Sequence, residues 1–153
     1  MKTFLWVMLV CVFSWPVQAA DRLTESMIRS LIDSTTVAVK RRDVDGVMKH
    51  FAPSARLELN LPASMGGGKS VMTVAEYRQL LREGWGSSQT IVYKVEDLVV
   101  RVAPDAKTAE VTDTVLEVVE MGGQVIRSRT AESATIALIQ GQPKVIRLVA
   151  RAM

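Results

Sequence analysis

Residues 39–59 constrain the fold of this chain more than any other stretch. Val39-Lys40-Arg41-Arg42 closes a helix on three cations, which suit the negative end of a helix dipole. Asp43 is placed to cap a second, short helix, with Val44, Val47, Met48 and Phe51 on one side and Asp45 adding negative charge to its first turn. Pro53 is expected to end that helix, and Arg56 to Leu61 then alternates polar and apolar residues as a half-buried strand does. Upstream, Leu23, Met27, Leu31 and Ala38 mark one face of an amphipathic helix over 23–42.

The rest of the chain extends this order. Pro62 to Gly68 reads as a loop, and Ser70 to Met72 as a short returning strand. Thr73-Val74-Ala75-Glu76 has capping-box spacing and opens a third helix through Tyr77, Leu80 and Leu81. Gly84 is expected just past its end in the left-handed conformation, with Trp85 beside it as a core anchor. Four long segments rich in Val, Ile and Thr follow, at 90–102, 108–121, 124–138 and 143–151. Ala103-Pro104-Asp105-Ala106, Gly122-Gly123 and Gln140-Gly141-Gln142 separate them, and such short connections force antiparallel neighbours. Helices on one face of an antiparallel sheet make an α+β domain.

Residues 1–20 read as a cleavable signal peptide. Lys2 gives a positive start, Phe4 to Phe13 is unbroken apolar sequence, and Val17-Gln18-Ala19 offers a cleavage site after Ala19 or Ala20. A lipoprotein signal through Cys11 is the rival, although Val10 stands where a small residue is expected. The apolar run is short for a bilayer, so no stable membrane anchor is expected after cleavage. The domain at 21–153, about 133 residues, has no cysteine and must rely on packing for its stability. Removing Lys2 takes the formal net charge from +3 to about +2, and no basic run exceeds Lys40-Arg41-Arg42, so nucleic acid is not an expected partner. The expected location is periplasmic or secreted.

The element order, with Asp43-Val44-Asp45-Gly46-Val47-Met48 and Phe51-Ala52-Pro53-Ser54-Ala55, resembles the nuclear transport factor 2-like superfamily, which includes ketosteroid isomerases and small polyketide-cyclase-like proteins. The resemblance covers essentially all of 21–153. It implies three N-terminal helices packed in the concave face of a curved, cone-forming antiparallel sheet, a pocket between sheet and helices, and frequent homodimers. Ketosteroid-isomerase chemistry needs a carboxylate base with hydroxyl and protonated-acid donors for the enolate oxygen. Laid along this chain, the family's base position falls on Leu59 and its tyrosine donor on Thr35, while the acid donor falls on Glu132. Glu58, one residue from the base position, should face the other way. Only Glu132 fits, and steroid-type isomerisation is not expected.

The hairpin at Gly122-Gly123 carries the sharpest chemistry. A two-residue turn there sets Asp113 opposite Glu132, Val115 opposite Thr130 and Glu117 opposite Ser128, all on one sheet face. Opposed carboxylates repel unless one keeps its proton or a cation bridges them, so Glu132 and Asp113 are the candidate catalytic residues, acting as general acid or base. Glu117, Thr130, Thr35, Leu59 and Trp85 are the candidate ligand-binding residues. A register shifted by one would instead let Glu117 pair with Arg127 or Arg129 on a solvated face.

Other signals point away from chemistry. Gly66-Gly67-Gly68-Lys69-Ser70 ends like a phosphate loop, but Ala63 replaces its first glycine and no helix follows directly, so a mobile hairpin loop is expected. His50 is the only histidine, which excludes a histidine-rich metal site; it reads as a helix-end cation or core-edge residue. No metal or cofactor is expected. Met27, Met48, Met65 and Met72 could line an adaptable pocket, with the first two on core stripes. Three functions remain open: an exported, non-catalytic domain that binds a small apolar or amphipathic ligand or an envelope partner protein; an exported lyase, isomerase or hydrolase using Glu132 or Asp113; or an assembly subunit whose exposed sheet face docks other envelope proteins.

Overall fold

The computed structural model describes residues 21–61 and 67–153, so the expected signal peptide and most of the loop at 62–68 lie outside the described residues. Helix α1 spans Glu25–Arg41, capped by Thr24, whose hydroxyl accepts from the Met27 amide at 3.2 Å. Arg42 ends it in the left-handed conformation at φ 58°. Ile28, Leu31, Ala38 and Val39 are its buried residues, at the three- and four-residue spacing of one helix face, and Thr35 falls on the same stripe.

Helix α2 is Val44–Met48, and the Asp43 carboxylate accepts from the Gly46 amide at 2.8 Å. A Cβ on Gly46 would run into that carboxyl group and push the capping side chain aside. The helix stops earlier than expected. Phe51 already opens strand β1 (Phe51–Leu61), and Pro53 lies inside the strand. The proline is tolerated because the ladder to β6 is irregular between Phe51 and Arg56, where no strand partner needs its missing N–H.

Strand β2 (Gly68–Thr73) returns antiparallel to β1, so a strand rather than a helix follows the glycine run. Helix α3 (Val74–Ser87) has both halves of the capping box between Thr73 and Glu76. It runs through Gly84, which takes no left-handed conformation, and ends only where Ser88 turns extended. Ser87 and Ser88 hydroxyls donate to the Gly84 carbonyl and satisfy the last turn without a glycine cap. That correction puts Trp85 within α3.

Strands β3 (Ser88–Val102), β4 (Thr108–Met121), β5 (Gln124–Ile139) and β6 (Gln142–Ala152) form the meander. The sheet order is β2-β1-β6-β5-β4-β3, antiparallel throughout except for the parallel β1–β6 pair. Irregular register at Thr90/Val92, Glu96/Val99 and Thr135/Ile136 marks where the strands bend, and the sheet curves. Helix α1 packs over β3 and β6, and α3 over β1, β2 and β3. Their apolar faces close a core of Leu23, Ile28, Leu31, Leu57, Ile136 and neighbours, continued by Ala38, Val39, Val47 and Met48. Among the described residues no helix is long and apolar enough to cross a membrane.

Candidate functional site

The β4–β5 hairpin sets the geometry of the site. Gly122 and Gly123 both take positive φ, 58° and 79°, as a type I′ two-residue turn demands. Met121 therefore pairs with Gln124, and the ladder runs unbroken to Thr108 opposite Ala137. Asp113 faces Glu132, Val115 faces Thr130, and Glu117 faces Ser128. The shifted register does not occur: Arg129 reaches Glu96 at 3.3 Å instead of Glu117, and Arg127 is exposed.

Asp113 and Glu132 point to the concave side, into a half-open cavity of about 100 Å³ between α1 and the sheet. Its α1 wall is Leu31, Ile32, Thr35, Thr36 and Val39; its floor is apolar, with Val111, Val115, Ala134, Ile136 and Leu148. Phe51 and Tyr77 close one side with ring centroids 5.8 Å apart, and Tyr93 closes another. One Asp113 carboxylate oxygen is buried with no hydrogen-bond partner.

Burial alone pushes the Asp113 carboxyl up to about 6. Glu132 is pushed further, to about 8, first by burial and then by Asp113 and Glu117. Glu132 is raised further because it is the more deeply buried of the two, and because it also ionises against the charge of its neighbours. Glu117 is also raised by burial. Tyr77 and Tyr93 are raised by burial and by these same carboxylates, so both phenols stay protonated as donors. Near neutrality these raised acidities favour one proton held between the two opposed carboxyl groups, which is the arrangement that acid–base work requires.

The expected site residues separate in space. Thr35, Asp113 and Glu132 line the cavity, and the Thr35 hydroxyl donates to the Leu31 carbonyl at 2.9 Å, leaving it only acceptor capacity. Glu117 and Thr130 share the concave face but stand toward the hairpin turn, outside the lining. Leu59 is in the same cross-strand row, Leu59–Ala150–Glu132, with β6 between it and Glu132. Trp85 packs against the Ala38–Met48 cluster and is not itself among the cavity-lining residues. Glu58 faces away as expected and pairs with Lys69 at 2.8 Å. His50 is a core-edge residue: its Nε2 lies 3.0 Å from the Ser34 hydroxyl, and burial, then Lys49 and Lys144, push it down to about 4. Met48 is core and Met72 packs against core, while Met27 borders a separate open groove with His50. Met65 lies outside the described residues.

Tyr77 and Tyr93 are the site residues that sequence reasoning missed. Tyr93 pairs directly with Glu117, and alternation from Tyr93 to Val95 would have put both on the concave face, had the β3 irregularities been readable. Nothing local marks Tyr77, because only the packing of α3 brings it over the sheet.

Comparison with family models finds no match, and comparison with curated proteins finds none. Solved structures do match. A nuclear transport factor 2-like protein from Cytophaga hutchinsonii is similar at TM-score 0.68 and 14% identity, over 84% of this chain and 97% of that one. A ketosteroid isomerase-like protein from Erwinia carotovora gives 0.64 and 15%, over 84% and 95%. A nuclear transport factor 2-like protein of unknown function from Pseudomonas putida gives 0.64 and 20%, over 84% and 86%. At these identities the likeness speaks for architecture alone, and the architecture of this chain is the nuclear transport factor 2-like fold.

Proposed function

We propose that this protein is an exported ligand-binding domain whose cavity takes a small, mostly apolar molecule headed by one polar group. The observation that carries the reading is the Asp113 oxygen, buried without a partner and opposite Glu132 in an otherwise apolar cavity. A buried acceptor without a donor is unfavourable by about 1–3 kcal/mol, and a ligand head group that donates to it removes that cost. The volume suits a single ring or a short chain rather than a polycyclic molecule. Lys2 and the apolar run from Phe4 to Phe13 support export.

The test is a nuclear magnetic resonance titration of purified protein with single-ring compounds bearing one polar group. Saturable shifts should concentrate at Val111–Val115 and Glu132–Ile136. Uniform silence there across the panel would remove the binding reading, and an N-terminus at Met1 in the purified material would argue against export.

A catalytic reading has one observation of its own, two carboxyl groups directly opposed in a cavity that Tyr77 and Tyr93 also line. Ionised Asp113 could take a proton next to a carbonyl while Glu132, with the tyrosine phenols, holds the oxygen. Exchange of such protons into deuterated solvent should then peak between about pH 6 and 8 and fall by about 100-fold or more in Asp113→Asn. Exchange at the wild-type rate in that variant would leave binding as the whole function.

A further inference from the structure

We propose that the head group bound in this cavity is a cation, an ammonium carried on a small apolar ring or chain. The inference rests on the cavity being a ligand site, as proposed above, and specifies the class of ligand.

The lining is one-sided in charge. Asp113 from β4 and Glu132 from β5 face each other, Glu117 stands on the same face of β4, and Tyr77 from α3 and Tyr93 from β3 complete the polar set. The α1 wall offers only the hydroxyls of Thr35 and Thr36, and β6 offers Val145 and Leu148. Among the described residues no lysine, arginine or histidine lines the cavity. Outside the cavity, Arg129 pairs with Glu96 and Lys69 with Glu58.

The unpartnered Asp113 oxygen then selects the head group. An ionised carboxylate only accepts, so a ketone or ether oxygen would leave it unmatched, whereas an ammonium brings up to three donors. The charge balances the acids. An inorganic ion fits less well, because among the described residues no three carboxylate or histidine side chains converge as metal ligands.

A cation reverses the electrostatics that keep Glu132 protonated. In the empty cavity that group sits at about 8, with Asp113 at about 6. A bound ammonium favours the ionised form of both, while the phenols stay neutral. Binding near pH 7 therefore releases a proton, and cation affinity rises with pH between about 6 and 8, by up to roughly tenfold per unit for one displaced proton. A neutral ligand that accepts from protonated Glu132 has the opposite slope.

Calorimetry on the purified protein with benzylamine and its uncharged counterpart benzyl alcohol separates these cases. Benzylamine should bind at least about tenfold more tightly at pH 8.5 than at pH 6, with a heat at pH 7 that differs between phosphate and Tris as proton release requires. Benzyl alcohol should be weaker and should not tighten with pH. Glu132→Gln, with its folding checked by thermal melting, should bind benzylamine with a flattened pH profile. Tighter binding of the alcohol at pH 8.5, or amine binding without pH dependence or proton release, overturns the cationic head group and leaves the cavity as a ligand site. If neither compound binds, the ligand-site reading fails as well.

Discussion

Leu57→Ala should lower the free energy of unfolding by about 3–5 kcal/mol, read as a drop in the urea midpoint at unchanged slope. Leu57 has 0% exposure and packs in the main core with Ile28 and Leu31 of α1. On β1 it stands opposite Met72 of β2 and Leu148 of β6, so it is where the β1–β2 hairpin, the meander and the first helix meet. The deleted atoms lose their transfer free energy, and the site collapses poorly because strand pairing holds it on both sides. Val71→Ala on β2, 59% exposed, should cost less than about 1 kcal/mol and serves as the control. A Leu57 effect no larger than that control would mean that the sheet does not close over α1 here.

Glu132→Gln should make the protein more stable at pH 8.5, by on the order of 2–4 kcal/mol, and change little at pH 4. The carboxyl group is raised from 4.5 to about 8 in the folded protein. Between those values the folded state holds a proton that the unfolded state has lost, so wild-type stability falls as pH rises through that window. The penalty is complete above about 8. Its size is set below the full shift because the side chain retains some solvent contact. Glutamine keeps the shape and cannot ionise, so the variant loses this slope and retains the smaller one of Asp113, from 3.8 to about 6, and that of Glu117, which burial also raises. In a domain of this size each kcal/mol moves the melting temperature by about 3–4 °C, so a pH series of thermal melts resolves the effect. Curves that stay parallel from pH 4 to 9 would show that Glu132 ionises freely. The expected gain would also show that an acid held against its preference is retained at a cost in stability, as binding and catalytic sites commonly are.

Local chemistry made much of this architecture legible. The caps at Asp43 and Thr73, the strand alternation and the glycine turn at 122–123 are each decided by neighbours a few residues apart. The hairpin went further, because a two-residue turn counts pairs outward without freedom, and so Asp113 opposite Glu132 could be derived nineteen residues apart in sequence. The errors have the same root. Pro53 and Gly84 were read as helix breakers from their intrinsic preferences, but an irregular ladder accommodates one and serine capping carries the helix past the other.

The sequence by itself determined the elements, their order and the facing of the two carboxylates, since helix periodicity, strand parity and turn geometry act over short chain distances. Tertiary structure alone decided that β6 returns beside β1 in parallel, that Tyr77 and Tyr93 stand over the acids, and that Leu59 and Trp85 lie off the cavity. Those arrangements depend on how the sheet bends and how α3 settles on it, and the bends arise at register irregularities that no local residue pattern announces. The shifted acidity follows from them, because it is the enclosure by α1 and the aromatic rings that removes water from Asp113 and Glu132.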